Sequence, residues 1–170
     1  MNCLNLKTVD TIKLSLATST KAMFKNCVTL ERIYDDIILS QSKDITELFA
    51  NCGMLKEIRK IETPRVEHFD MAFQGCLNLT SIGSIDMSHA TSCTNIFEGC
   101  TKLMYVGIDN LNASISFVGT HLSIQSLRFI LQHLKRNVNG SIDITGTPAA
   151  DQITPEDENI LQGTGWTLVH

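Results

Sequence analysis

The six cysteines are the residues with the most obvious chemical potential. Five of them stand at positions 3, 27, 52, 76 and 100, at intervals of 24, 25, 24 and 24 residues, and Cys93 is the sixth. Thiols can hold a metal, pair as disulfides or attack an electrophile, and each use needs its own spacing. Zinc sites draw on cysteine pairs about two to four residues apart, and the chain has none. Neighbouring copies of a repeat bring cysteines within disulfide distance, but parallel, in-register side chains are poorly aimed for the bond. The reading adopted is buried free thiols, which behave as small hydrophobes and suit assembly in a reducing compartment. His68, His89, His121, His133 and His170 form no spaced ligand pair. His68 near Asp70 and His89 near Asp86 have the composition for acid–base work, yet no Ser or Cys stands in an elbow or triad context. They read as surface residues. Asn78-Leu-Thr80, Asn112-Ala-Ser114 and Asn139-Gly-Ser141 match the glycosylation acceptor pattern, which is common enough by chance to carry no weight. No catalytic residue, metal or cofactor is expected.

The elements that would position these residues repeat. Phe24…Cys27…Leu30…Ile33 recurs as Phe49…Cys52…Leu55…Ile58, as Phe73…Cys76…Leu79…Ile82 and as Phe97…Cys100…Leu103…Val106. A headless copy, Cys3…Leu6…Val9, precedes them. A period in the twenties with leucine-type residues at fixed offsets indicates stacked repeats. The residue before each repeated cysteine is Asn2, Asn26, Asn51, Gly75 or Gly99, the two residue types most at ease at positive φ. That places a helix stop there and predicts a short helix upstream of it, with Ile45 and Phe49, or Phe69 and Phe73, four apart on one face. Cys93 occupies the slot of Ile45 and Phe69 and is expected to pack. Downstream, Leu-x-x-Ile with Ile12, Ile37, Ile61, Ile85 and Ile108 suits a short strand. The fold class predicted is therefore α/β: a leucine-rich-repeat solenoid over residues 1–116, with a parallel sheet of short strands and short helical turns.

The string Phe-x-[Asn/Gly]-Cys-x-x-Leu-x-x-Ile, with Met23-Phe24 in the first full copy, resembles the BspA-type leucine-rich repeats of bacterial surface proteins. The resemblance spans about residues 1–110. The tail from Gly140 through Thr154-Pro-Glu-Asp-Glu to Trp166-Thr-Leu resembles the ending such arrays have in gut bacteria and their phages. It implies a non-enzymatic adhesion or recognition surface, and it carries over no catalytic or metal-binding residue.

Residues 117–170 read as an α/β capping module. Ser123 can N-cap a helix over Ile124–Arg136, whose Leu127, Ile130, Leu131 and Leu134 form one apolar face. Asn139-Gly140 turns into a strand at Ser141–Ile144. Thr154-Pro155 opens a second helix with acids in its first turn; Gly163 stops it, and Trp166–Val169 reads as a closing strand. The opposite end has no counterpart. Its face is expected to be covered by another chain, an oligomer mate or further repeats.

Composition narrows the partners. Net charge is −4 and charged residues are 19% of the 170. That supplies no basic stripe for a phosphate backbone, so nucleic acid is set aside. No run approaches the roughly 18 apolar residues of a membrane span, and the N-terminus lacks the basic-then-apolar pattern of a secretory signal. Membrane insertion is not expected. Core slots barely change between copies, whereas the two residues between Leu and Ile change freely: Lys7-Thr8, Glu31-Arg32, Lys56-Glu57, Thr80-Ser81, Met104-Tyr105. Solvent exposure alone accounts for that; a binding strip would also lie there. Arg32, Tyr34, Lys56, Glu57, Thr80, Met104 and Tyr105 are the candidate surface, with Arg32, Tyr34 and Tyr105 as anchors. The function expected is adhesion or recognition of a protein or host-surface glycan, on a phage virion or a bacterial cell surface. The alternatives are a purely architectural subunit that docks neighbouring proteins and, last, an enzyme.

Overall fold

Why the repeat segments do not become helices is visible in where their N–H groups go. In the computed structural model, which describes residue 3 and residues 5–136 and 138–170, the segments before each Phe are runs of tight turns. Alternate N–H groups close i→i+3 turns within a copy, as Met23 to Thr20, Lys25 to Ala22 and Cys27 to Phe24. The intervening ones leave for the next copy: Ala22 to Thr46, Phe24 to Leu48 and Asn26 to Ala50, at 2.8–2.9 Å. A helix would need all of them for its own i→i−4 ladder. Two residues per segment also sit at positive φ, Ala22 with Asn26, Glu47 with Asn51, Met71 with Gly75, and Asn95 with Gly99. The left-handed stops expected before the cysteines are present at Asn26, Asn51, Gly75 and Gly99; Asn2 lies outside the described residues.

The strands are β1 (Thr8–Val9), β2 (Ile12–Lys13), β3 (Arg32–Ile33), β4 (Ile37–Ile38), β5 (Glu57–Glu62), β6 (Ser81–Asp86), β7 (Tyr105–Asp109), β8 (Ile115–Ser116), β9 (Gly140–Asp143) and β10 (Trp166–Val169). The helices are α1 (Ile124–Gln132) and α2 (Pro155–Asn159), and a 3-10 turn covers Ala150–Gln152. All pairing is parallel, in three sheets of order β1-β3, β2-β4-β5-β6-β7 and β10-β9-β8.

The leucine-rich-repeat solenoid with a helical turn per copy is thus corrected. The described residues form a small α/β domain of mostly parallel sheets, with both α-helices in the C-terminal third and no solenoid closure. Unequal copies contribute to this from β3 onward, although the first copy, with Val9 and Ile12 three apart, also divides into β1 and β2. Ile33 and Ile37 are four apart, Ile82 and Ile85 three, Val106 and Ile108 two. The long copy breaks into the two-residue strands β3 and β4, and the short one forces a bulge opposite Gly83-Ser84, between the Ile82–Val106 and Ile85–Ile108 pairs.

Like side chains nonetheless stand beside like. Phe24, Phe49, Phe73 and Phe97 stack at centroid distances of 5.3, 6.0 and 5.7 Å, and Phe117 continues the row at 5.3 Å from Phe97. Beside the rings, the thiols of Cys52, Cys76 and Cys100 donate to the carbonyls of Phe24, Phe49 and Phe73 at 3.1, 3.2 and 3.0 Å. Each of those carbonyls also accepts the N–H three residues on, at Cys27, Cys52 and Cys76. Cysteine therefore suits the slot as a small hydrophobe with one weak donor. Burial pushes Cys52, Cys93 and Cys100 up to about 12, and Cys76 well above its ordinary value. The expected result is that the native protein near pH 8 exposes only the half-buried Cys3 to a disulfide-exchange reagent, while denaturant without reductant releases all six thiols. A second native thiol reacting at a rate comparable to Cys3 would contradict the packing.

The C-terminal unit seals the β7 edge of the large sheet. Ser123 accepts the N–H of Ser126 and caps α1, which ends at Gln132 rather than running to Arg136; His133 closes it by donating its N–H to Ile130. Leu134 leaves the helix and bridges to Leu111. Ser126, fully buried, accepts from the Val106 N–H at 2.8 Å and donates to its carbonyl at 3.0 Å, so one hydroxyl satisfies the edge strand in both directions. The tie between helices is Asp157, whose carboxylate takes both Nε and Nη2 of Arg128 at 2.8 and 2.9 Å and also the N–H and hydroxyl of Thr154. The Arg128 hydrogen bonds, outweighing burial, hold Asp157 down at about 2. A carboxylate depressed in the folded state contributes stability that is present above about pH 4, the unfolded value, and is lost as pH falls towards 2. Asp157→Asn is therefore expected to lower the melting temperature at pH 7 and to flatten its fall between pH 4 and 2. An unchanged acid limb in a melting series would remove Asp157 from that role.

Candidate functional site

The variable residues do form a continuous surface. Backbone N–H groups carry it across the copies, Glu31 to Lys7, Lys56 to Glu31, Thr80 to Lys56 and Met104 to Thr80, at 2.8–3.2 Å; Ser123 then donates to Met104. Beside this row, Thr8 pairs with Arg32, Glu57 with Ser81, and Ser81 with Tyr105. So Lys56, Thr80 and Met104 share one row, and Arg32, Glu57 and Tyr105 the next. Tyr34 lies two residues beyond Arg32, at the offset that Arg59, Gly83 and Gly107 hold in later copies.

Charges on this face meet opposite charges from the adjoining copy. Lys56 pairs with Glu31 at 3.1 Å, Arg32 with Glu57 at 3.9 Å and Arg59 with Asp36 at 3.9 Å. Such exposed pairs contribute little stability, but they cancel the field that a strongly charged partner would seek. Among the described residues of this face, Lys7 has no ion pair, and the larger side chains that stand free are Tyr34, 51% exposed, and Met104, 47% exposed. Tyr105 differs from expectation, because its ring rests on Phe129 of α1 at 6.3 Å and is half-buried. It is partly a packing residue, and its hydroxyl lies close to Gly107.

The histidines are all exposed. Ser88 sits between Asp86 Oδ2 at 3.1 Å and His89 Nδ1 at 3.0 Å. A hydrolytic relay needs the imidazole between the hydroxyl and the carboxylate, so this order supplies no activated nucleophile. At Asp70, burial opposes ionisation, but the Ser92 hydroxyl and the Thr94 N–H bond its carboxylate and hold it below the ordinary value. Among the described residues no group of three or more His, Cys, Asp or Glu is arranged to hold a metal ion, and no helix is long and apolar enough to cross a membrane.

Three structural threonines, Thr120, Thr147 and Thr164, were not expected from the sequence though a signal was there. Phe117-x-Gly119-Thr120, Ile144-x-Gly146-Thr147 and Leu161-x-Gly163-Thr164 are one turn used three times, each glycine at φ of 70–77°. In each, the threonine hydroxyl returns to the carbonyl of its own turn at 2.6–2.8 Å instead of reaching the previous copy as the thiols do. Ser126 had no such signal, since a serine within a helix is ordinary. No family model, no curated protein and no solved structure matches the chain.

Proposed function

We propose that the chain is a non-enzymatic recognition or adhesion module of a phage virion or bacterial cell surface, related to the BspA-type repeat proteins. The observation that carries this reading is the contrast between rows: inward slots repeat Phe, Cys, Leu and Ile, while the outward rows differ in every copy and lie side by side. Such a division supplies a continuous outward surface on which an interaction face can be built. Tyr34, with its ring half in solvent beside the Arg32–Glu57 pair, is its strongest anchor, because aromatic and arginine side chains dominate binding hot spots. The test uses the intact chain on host cells, or against proteins that co-purify with it. Tyr34→Ala combined with Arg32→Ala is expected to weaken binding at least about tenfold with the melting temperature unchanged. Binding that survives both changes overturns the assignment of this face.

The architectural reading has an observation of its own. The outer sides of β1 and β2 have no neighbouring strand among the described residues, Phe24 and Leu14 are half-buried, and Leu16 is 88% exposed. In the turn layer beneath, the carbonyls of Lys21 and Met23 accept no hydrogen bond among the described residues. A neighbouring protein subunit would cover such an end. Tight docking that Leu16→Asp abolishes and Tyr34→Ala leaves intact favours this reading over the first.

A further inference from the structure

The backbone ladder of the turn layer stops at the fourth copy, and a cavity opens there. In each earlier copy four alternate N–H groups donate to the next: Thr20, Ala22, Phe24 and Asn26; then Ile45, Glu47, Phe49 and Asn51; then Phe69, Met71, Phe73 and Gly75. The equivalent groups of the fourth copy belong to Cys93, Asn95, Phe97 and Gly99, and they find no acceptor among the described residues. The carbonyls of Cys93, Asn95 and Phe97 are already engaged by the N–H groups of Ile96, Glu98 and Cys100. This border therefore leaves four N–H groups unspent, beside carbonyls that keep one lone pair each. Opposite it, Phe117, just after β8, joins the ring row, but β8 and the residues before it leave a groove of about 530 Å³ beside Cys93 and Asn95. Unspent backbone donors beside a nearly buried residue such as Cys93 need a partner.

We infer that this groove is a binding site for a neutral saccharide. Its lining is hydroxyl and amide, chiefly Thr94, Asn95, Asn112, Ser114, Ser116 and Asn139, with no charged side chain among the described residues. Several of these are held in place by the backbone. Asn112 donates to the Ala90 carbonyl at 2.9 Å, which leaves its Oδ1 to accept. Ser114 and Ser116 accept from the N–H groups of Ser141 and Val118, which leaves their hydroxyl hydrogens to donate. The amides of Asn95 and Asn139 make no side-chain hydrogen bond among the described residues, so each offers both polarities. A sugar hydroxyl accepts and donates at once, which matches the N–H groups of Cys93 and Asn95 set among amide and hydroxyl oxygens. An anion would find no lysine or arginine and would meet Asp70 behind Ser92. An extended peptide presents alternating N–H and C=O groups, and half of them would face donors. No aromatic ring floors the groove, so weak affinity follows.

The inference rests on the reading of the chain as a recognition module but places the ligand on a different surface from the strand face. The test is a titration of the isotope-labelled full chain with neutral sugars (mannose, galactose, glucose, N-acetylglucosamine and their disaccharides), followed by amide chemical shifts. One of them is expected to give saturable shifts of Cys93 and Asn95, which line the groove, with a Kd on the order of 1 mM. Thr94→Leu, which occupies the groove while keeping the Thr94 N–H bond to Asp70, is expected to weaken binding at least about tenfold, and Asn139→Ala to weaken it with an unchanged melting temperature. Tyr34→Ala is expected to leave it unaltered, so failure of the strand-face reading and failure of this one are separable. Absence of saturable shifts with every sugar overturns the site. So does saturation of the same amides by sodium sulfate or an extended peptide in place of the sugars.

Discussion

Phe73→Ala is expected to destabilise the protein by about 4 kcal/mol and to lower its melting temperature by roughly 10–15 °C. The ring is fully buried and lies third of five, so it loses stacking partners at 6.0 Å and 5.7 Å on its two sides. A second cost arises at the same place, since the cavity opens beside the carbonyl that accepts the Cys100 thiol. Phe49 is fixed by its own backbone bond to Ala72, and Phe97 is held between the Phe73 and Phe117 rings, so neither collapses fully into the space. Phe24→Ala should cost clearly less, because Phe24 is half-buried and stacks on one side only, against Phe49. Equal losses in chemical denaturation would show that the row does not act as a continuous stack.

Gly107→Ala is expected to cost about 3 kcal/mol and to loosen the bulged β6–β7 pair specifically. A Cβ at Gly107 would lie 2.1 Å from the Gly83 carbonyl oxygen, and one at Gly83 would lie 2.2 Å from that of Arg59. Both obstacles are backbone atoms of a paired strand, so no side chain can swing aside and the strands must part. Gly53→Ala is the control. Nothing lies within 4 Å of its added carbon, and a change between neutrality and about 1 kcal/mol of stabilisation is expected there. Hydrogen exchange should report the Gly107→Ala damage first in β7 and α1, which pack on each other through Ser126.

How much of this was legible in the chain differs from row to row. The Phe, Cys and Leu slots were read directly, because a side chain buried between two copies of itself tolerates little else. The left-handed positions before the cysteines were legible for a similar reason, as Asn and Gly meet that backbone at least cost. The positive φ of Glu47 and Met71 was not, since neither residue prefers it; cross-copy bonds on either side impose it. The C-terminal strand Trp166–Val169 and the cap at Ser123 followed from local signals, whereas the end of α1 at Gln132 depended on Leu134 pairing with Leu111 instead of extending the helix.

The candidate surface shows the same division. Exposure of Arg32, Lys56, Glu57 and Met104 could be read from variation among copies, but their ion pairs and the burial of Tyr105 against Phe129 depend on what a neighbouring copy or helix places opposite. The amino-acid order alone determined the period, the inward side chains and the rows they join, because those depend on spacing and on water avoidance. Only the tertiary structure decided that the turn segments bond sideways instead of coiling into helices, that the strands divide into three sheets, and that the fourth copy keeps its N–H groups unspent, those of Cys93 and Asn95 beside a groove. Each of these is settled by competition between hydrogen-bond partners about 24 residues or more apart, and local sequence preference does not weigh such partners against each other.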